Sequence, residues 1–187
     1  MEKKTLPELE QDTTTNTPVK ENKAQSFLVF LVTVLAAYLL FTCVLAFHNI
    51  PSSSMEPTIR EGSFAVCWHL PFVIGDPVPQ YGDIISFKQN TGRILIKRVI
   101  GLPGDEISFA DGSVYRNGEK LDEPYLREQG KTEAVKQASY TVPDGYVFML
   151  GDNREHSLDS RYMDDPYISL HELYAKMLFS IALPRLG

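Results

Sequence analysis

Several features that mark common protein classes are scarce in this 187-residue chain. It has two cysteines, Cys43 and Cys67, too few for a disulfide framework, and Cys43 lies inside a long apolar run. Its 18 basic residues are outnumbered by 24 acidic ones, and the net charge of −6 argues against a nucleic-acid partner, which needs a basic face. The four histidines show no metal-ligand spacing. We therefore expect neither a metal nor an organic cofactor.

Long hydrophobic runs are also scarce. The sequence has a single one, an uncharged segment of 22 residues at 26–47. A bilayer core ~30 Å thick needs about 20 helical residues, and a buried core helix of this length would show a polar face. A cleaved signal peptide remains the alternative, because Val44-Leu45-Ala46 fits a small-residue cleavage rule. Its apolar region would be too long, however, and the preceding tail is not basic. We predict one uncleaved transmembrane helix at 26–47.

The two flanks of this run differ in composition. Residues 1–25 are polar, with four lysines against five acids, and such a composition predicts a disordered tail. Lys20 and Lys23 lie close to the run, whereas Arg60 is the single Lys or Arg within twenty residues on its other side. This asymmetry favours a cytoplasmic N-terminus.

From residue 48 onward, helical periodicity nearly disappears and short β-rich pieces alternate with turn residues. Such spacing predicts a mainly β domain at 48–187, built as an antiparallel sandwich or barrel-like sheet. One short helix is expected at 170–176. The predicted strands are 63–68, 83–87, 93–100, 106–109, 113–116, 146–150 and 177–181.

Two dipeptides predict tight hairpins within this domain. Asp111-Gly112 and Asn117-Gly118 both tolerate the positive φ angles that two-residue hairpin turns require. We expect residues from about 106 to 142 to form a smaller inserted subdomain that is rich in acids and loops and lies away from the chemistry.

A serine cluster and one strand lysine are the candidates for chemistry. Three serines, 52–54, lie between Pro51 and Pro57, and serine triplets are commonly turn residues. A serine nucleophile needs a base, and no histidine lies where a Ser-His-Asp enzyme would place one. Lys97 lies in a predicted strand on one face with Leu95 and Val99. Burial there would lower its pKa and give a neutral amine, although most strand lysines reach solvent at a sheet edge.

Three segments together resemble the conserved boxes of type I signal peptidases, the membrane-bound serine–lysine proteases that remove secretory signal peptides. Pro51-Ser52-Ser53-Ser54-Met55-Glu56-Pro57-Thr58 matches the family pattern Pro-Ser-x-Ser-Met-x-Pro-Thr. Residues 97–105 match Lys-Arg-Val-Ile-Gly-Leu-Pro-Gly-Asp throughout, and 81–87 is similar to a Gly-Asp-x-x-x-Phe strand. The third box is the polar block 151–161, which alone would be an Asx-rich turn. The resemblance covers about residues 26–183.

The resemblance implies a role for each polar residue of these boxes. Ser54, immediately before the methionine, would be the nucleophile, Lys97 the general base, and Ser52 a donor of the oxyanion hole. Ser157 would hydrogen-bond and orient the lysine amine. The supporting residues would fix the wall of the site and hold its loop together: Arg98, Asp152, Asn153, Arg154, Asp159 and Arg161.

The function implied by this family is endoproteolysis at a membrane. The chain would be a single-pass protein of the cell membrane with its catalytic domain outside the cytoplasm. It would cleave preproteins after small residues at −3 and −1, with the signal peptide, the lipid bilayer and a secretion translocon as partners. Two alternatives stay open. A self-cleaving repressor with similar chemistry predicts a DNA-binding helix-turn-helix before the catalytic part, and a non-enzymatic assembly protein predicts that the base is missing.

Overall fold

The computed structural model describes residues 22–75, 78–89 and 91–182. Contacts divide the chain into two compact units, Met1–Tyr38 and Leu39–Gly187. The predicted disordered tail, 1–25, lies outside the described residues apart from its last four. Three of those four begin the first helix.

Helix α1, Lys23–Val44, has 22 residues and no buried side chain. Among the described residues it is the one helix that is long and apolar enough to cross a membrane, judged by length and composition. The predicted span 26–47 has the right length but ends three residues too late. Residues 45–47 belong instead to strand β1, Leu45–Asn49, which pairs antiparallel with β2, Phe64–Trp68, along its whole length. Ladder hydrogen bonds and the burial of Ala46 favour the extended conformation there.

The rest of the described chain is mainly β. The short helix α2, Leu70–Ile74, follows β2 and has a proline in its first turn, where no backbone donor is lost. The remaining strands are β3 Ile84–Lys88, β4 Ile94–Gly101, β5 Glu106–Ala110, β6 Ser113–Arg116, β7 Glu119–Lys120, β8 Ser139–Thr141, β9 Tyr146–Leu150, β10 Ile168–Ser169 and β11 Leu173–Ile181.

Every predicted strand is present, but the predicted helix at 170–176 is wrong. A single 3₁₀ turn, Leu170–Glu172, is followed directly by β11. The fully buried Ala175 pairs with Ser86 of β3, and this pairing gives the short segment more contacts than an isolated helix of seven residues could make. Strands β1, β7, β8 and β10 were not predicted.

The strands form two antiparallel sheets, which confirms the predicted fold class. The larger sheet has the order β1-β2-β11-β3-β4-β9-β10, and the smaller one has the order β7-β6-β5-β8. Both faces of the larger sheet are covered by apolar clusters, one around Ile59, Cys67 and Ala175 and the other around Phe87 and Met149. Strand β9 therefore ends beside β4 within a packed core, and the polar block 151–161 follows directly after it.

The two predicted hairpin turns are confirmed. Asp111 and Asn117 have φ angles of 49° and 52°, and the glycine after each also has a positive φ angle. A two-residue turn between twisted strands requires such angles. These turns join β5 to β6 and β6 to β7. The smaller sheet lies within the range predicted for an inserted subdomain, whose independence as a folding unit stays a prediction.

Candidate active site

Ser54 and Lys97 meet although 43 positions separate them in the chain. Ser54 lies in the loop between β1 and β2, and Lys97 lies on β4; their side chains are 8% and 3% exposed. The Lys97 amine lies 2.9 Å from Ser54 Oγ and donates a second hydrogen bond, of 2.8 Å, to the carbonyl of Ile96. A hydroxyl and an amine at this distance can exchange a proton directly.

The environment of Lys97 favours the neutral amine. The pKa of Lys97 is lowered from 10.5 to about 8, chiefly by burial; the charge of Asp159 raises it, that of Arg93 lowers it and that of Asp152 raises it. Desolvation is the largest of these effects, because an ammonium group loses hydration that no adjacent carboxylate replaces. At pH 8 about half of the Lys97 side chains can therefore accept a proton.

Apolar side chains anchor the loop that carries Ser54. Met55 and Ile59 are buried in the core of the larger sheet, and Ile59 donates a backbone hydrogen bond to the Met55 carbonyl. Ser52 is exposed beside the nucleophile, with its Oγ 3.4 Å from Ser54 Oγ. Its hydroxyl is therefore free to reach a bound substrate.

The polar block after β9 docks directly onto this loop. Asn153 donates its backbone N–H to the Ser54 carbonyl at 3.0 Å and its side-chain amide to the Ser53 carbonyl at 3.1 Å. Thr58 donates to Asp152 at 2.5 Å. A Cβ atom at Gly151 would lie 2.1 Å from Ser157 Oγ, so only glycine permits this approach. The sequence alone indicated no specific role for Gly151.

Four of the residues named as supporting form two ion pairs, of which the pairing of Asp159 with Arg161 was expected. Arg98 donates two hydrogen bonds to Asp152, from Nε to Oδ1 at 2.8 Å and from Nη2 to Oδ2 at 2.6 Å. Arg161 binds Asp159 in the same way, with both distances 2.9 Å. Two parallel N–H···O bonds fix the orientation of a carboxylate more strongly than a single one does. These pairs hold β4, β9 and the polar block in a fixed arrangement around the amine.

The expected bond between Ser157 and the lysine amine is not formed. Ser157 is buried, and its hydroxyl has no hydrogen-bond partner among the described residues. The Lys97 amine instead uses the carbonyl of Ile96, which its own strand provides. An orienting role for Ser157 therefore stays a prediction.

The smaller sheet contributes to the site, contrary to the expectation that it lies away from the chemistry. Glu123, in the loop between β7 and β8, accepts hydrogen bonds from Arg154 Nη2 at 2.5 Å and Nη1 at 3.1 Å. Thr132 of the same loop accepts a third at 2.9 Å, while Arg154 Nε donates to the Gly151 carbonyl. The sequence does not indicate Glu123 as a partner of the polar block.

The Glu123–Arg154 pair gives a stability prediction. Glu123→Ala leaves a guanidinium that is 5% exposed without its counter-ion, which costs about 3–5 kcal/mol in such pairs. For a domain of this size the melting temperature should fall by roughly 6–20 °C. Glu128→Ala is the matched control, since it breaks an exposed pair with Lys131 and should leave the melting temperature almost unchanged. Equal effects of the two substitutions, measured by thermal unfolding, would contradict the assignment.

A cavity of about 200 Å³ opens beside Ser54 and Lys97. The end of β1, the loop that follows it and the first half of β4 form its walls. Half of the lining residues are apolar and half are polar, and the small volume suits a small side chain. The lining residues are His48, Asn49, Ile50, Pro51, Ser52, Ser54, Met55, Arg93, Ile94, Leu95, Ile96 and Lys97.

Comparisons with known proteins show what this chain is similar to. A family model described as "Signal peptidase, peptidase S26" matches residues 23–182. Signal peptidase I of Bacillus caldolyticus is 35% identical over 175 residues, which are 87% of this chain and 93% of that one. Signal peptidase I U of Bacillus subtilis (strain 168) is 37% identical over 158 residues, 76% and 80% of the two chains. The crystal structure of a signal peptidase I from Enterococcus faecalis V583 has 33% identity and a TM-score of 0.44, over 54% of this chain and 97% of that chain.

Proposed function

Because this chain belongs to the signal peptidase I family of serine endopeptidases, we propose that Ser54 and Lys97 are the dyad with which it removes signal peptides from exported preproteins. The observation that carries the proposal is the 2.9 Å contact between the buried Lys97 amine and Ser54 Oγ. With a pKa of about 8, Lys97 is partly neutral under physiological conditions. It can therefore accept a proton from Ser54 while the two side chains stay in contact.

The reaction follows from this contact. Neutral Lys97 takes the proton of Ser54 while Oγ attacks the carbonyl carbon that precedes the scissile bond. The resulting ammonium returns that proton to the nitrogen of the leaving chain, and the carbon–nitrogen bond breaks to leave an ester on Ser54. Lys97 then takes a proton from a water molecule that attacks the ester carbonyl. As the carbon–oxygen bond to Ser54 breaks, the ammonium returns that proton to Oγ, and the signal peptide leaves with a new carboxyl end. One amine serves as base and acid in both halves.

Ser52 is proposed to stabilise the oxyanion of both tetrahedral intermediates. It lies beside Ser54 and is exposed, as a donor to substrate must be. Ser52→Ala should lower kcat by about 10²–10³ with a smaller change in KM, because the donor acts where charge develops. Initial rates on one preprotein give both constants. A rise in KM at unchanged kcat would show that Ser52 binds the ground state and would remove it from the oxyanion hole.

The substrate is proposed to bind as an added strand along β4. Strand β9 pairs with β4 only from Arg98 onward, so residues 94–97 have β3 on one side and no described strand on the other. An extended peptide can hydrogen-bond to such an edge. Its alternate side chains, at −1 and −3, would then point into the cavity, whose volume of about 200 Å³ favours small residues.

Membrane anchoring and lipid contact form the second part of the proposal. Helix α1 would cross the cell membrane once with the N-terminus in the cytoplasm, and the catalytic domain would lie outside, where a translocon delivers its substrates. Large apolar side chains on β1, β2 and β11 are exposed and would contact lipid. They are Phe47, Phe64, Trp68, Leu178, Phe179 and Ile181.

The test uses the full chain in detergent and a preprotein whose signal ends in Ala-x-Ala. We expect one cut, and N-terminal sequencing of the product should begin at the residue after the second alanine. Cleavage elsewhere would contradict the proposed specificity. A folded protein that cuts no preprotein would instead indicate the non-enzymatic assembly role.

A further inference from the structure

His48 lies in the wall of the substrate cavity, where the mechanism does not use it. Along β1 the alternate residues Ala46 and Ile50 are buried, and His48 between them is half-buried, while Phe47 and Asn49 are exposed. The imidazole thus lies on the inner side of the strand. It lines the same cavity as Ser54 and Lys97.

One ring nitrogen of His48 is already engaged. Its Nε2 lies 3.4 Å from the hydroxyl of the fully buried Ser86. Ser86 donates its single proton to the Ala175 carbonyl at 3.2 Å, so Nε2 carries the proton of that contact. In the neutral ring the other nitrogen, Nδ1, is then an acceptor, and no described residue bonds to it.

The groups packed around His48 disfavour the charged form of its ring. Tyr174 of β11 contacts it edge-on at 5.7 Å between ring centroids, and His69 lies on the far side of Tyr174. The charged groups that share the cavity are Arg93 and Lys97, both cationic when protonated, and no carboxylate lines it. Burial, and then the charge of His69, lower the pKa of His48. A neutral imidazole with one free acceptor therefore faces the substrate.

We propose that His48 determines substrate specificity by accepting a hydrogen bond from a serine or threonine hydroxyl at the −3 position. This inference rests on the proposed function. In an extended substrate the −1 and −3 side chains point to the same face about 6.6 Å apart, so a −1 residue beside Ser54 places the −3 residue farther along the cavity wall. The cavity volume of about 200 Å³ favours a small residue, and the acceptor nitrogen of His48 favours one that bears a hydroxyl.

Threonine and valine separate this interaction from size, because the two side chains have the same shape. A hydrogen bond of ordinary strength predicts that wild type prefers threonine over valine at −3 by about 3- to 10-fold in kcat/KM. A cavity without a polar partner would give no such preference, since burial of an unpaired hydroxyl is unfavourable.

The experiment measures kcat/KM on preproteins that differ in one residue, threonine or valine, at −3 or at −1. The full-length enzymes are wild type, His48→Leu, His48→Gln and His171→Leu, the last being the same change at an exposed histidine outside the cavity. The preference at −3 should disappear in His48→Leu and persist in His48→Gln, whose amide keeps a hydrogen-bonding group, and in His171→Leu. Because the preference is a ratio within one enzyme, partial loss of folding cancels.

Three results would overturn the inference. These are a wild type without preference at −3, a preference that survives His48→Leu, and a preference that changes only at −1. A wild-type enzyme that cleaves none of the preproteins, including one with alanine at both positions, would contradict the proposed function itself.

Discussion

Ser54→Ala should reduce preprotein cleavage by roughly 10⁴- to 10⁶-fold, the loss typical of a missing serine nucleophile. The substitution removes the single oxygen that forms the ester and leaves the rest of the loop in place, because Met55 and Ile59 anchor it. Cleavage of one preprotein is measured over several hours of incubation, so that a residual rate can be quantified.

Ser53→Ala is the matched control for this loss. It changes the neighbouring serine in the same way, and the Ser53 carbonyl that accepts from Asn153 is unchanged. We expect wild-type cleavage from this variant. If Ser54→Ala cleaves at more than one per cent of the wild-type rate, or if Ser53→Ala loses activity equally, the nucleophile has been assigned to the wrong residue.

Lys97→Met should lower kcat/KM by at least about 10²- to 10⁴-fold, the contribution of a positioned general base. Methionine has a similar length and suits the buried site, so the fold should persist. In wild type, kcat/KM should rise tenfold per pH unit below pH 8 and level off above it. The sign follows because the neutral amine is the active form and burial lowers the Lys97 pKa to about 8.

The pH profile distinguishes a buried base from an exposed one. A lysine in water titrates near 10.4, so a plateau reached only above pH 10 would contradict the environment described for Lys97. Lys88→Met, the same change at an exposed lysine of β3, should leave both the rate and the profile unchanged. A Lys97→Met variant that still cleaves would require another base.

The two residues of the proposed dyad could be singled out from the sequence because they lie in short motifs that resemble those of the family. A serine before Met55 and a lysine flanked by aliphatic residues are recognisable without knowledge of the fold. The strand alternation that places Lys97 among apolar neighbours is equally local, as are the positive φ angles at Asp111 and Asn117. Local rules therefore predicted seven of the eleven strands of the described residues and both hairpin turns.

The long-range partners could not be predicted, because no local pattern specifies them. Glu123 meets Arg154 across 31 positions and between two sheets, and His48 meets Ser86 across 38. The end of α1 was misplaced for a similar reason. Residues 45–47 are as apolar as the helix before them, and their strand conformation depends on pairing with β2.

That direct passage from helix into strand has a practical consequence for making a soluble enzyme. A protein shortened at residue 48, where the apolar run ends, would lose three of the five residues with which β1 pairs to β2. It would also lose Ala46 from the core and expose the edge of β2, a template for aggregation. Removing residues up to Val44 keeps the strand whole. The catalytic domain should therefore begin where β1 starts to pair with β2, at Leu45, and not where the apolar run ends.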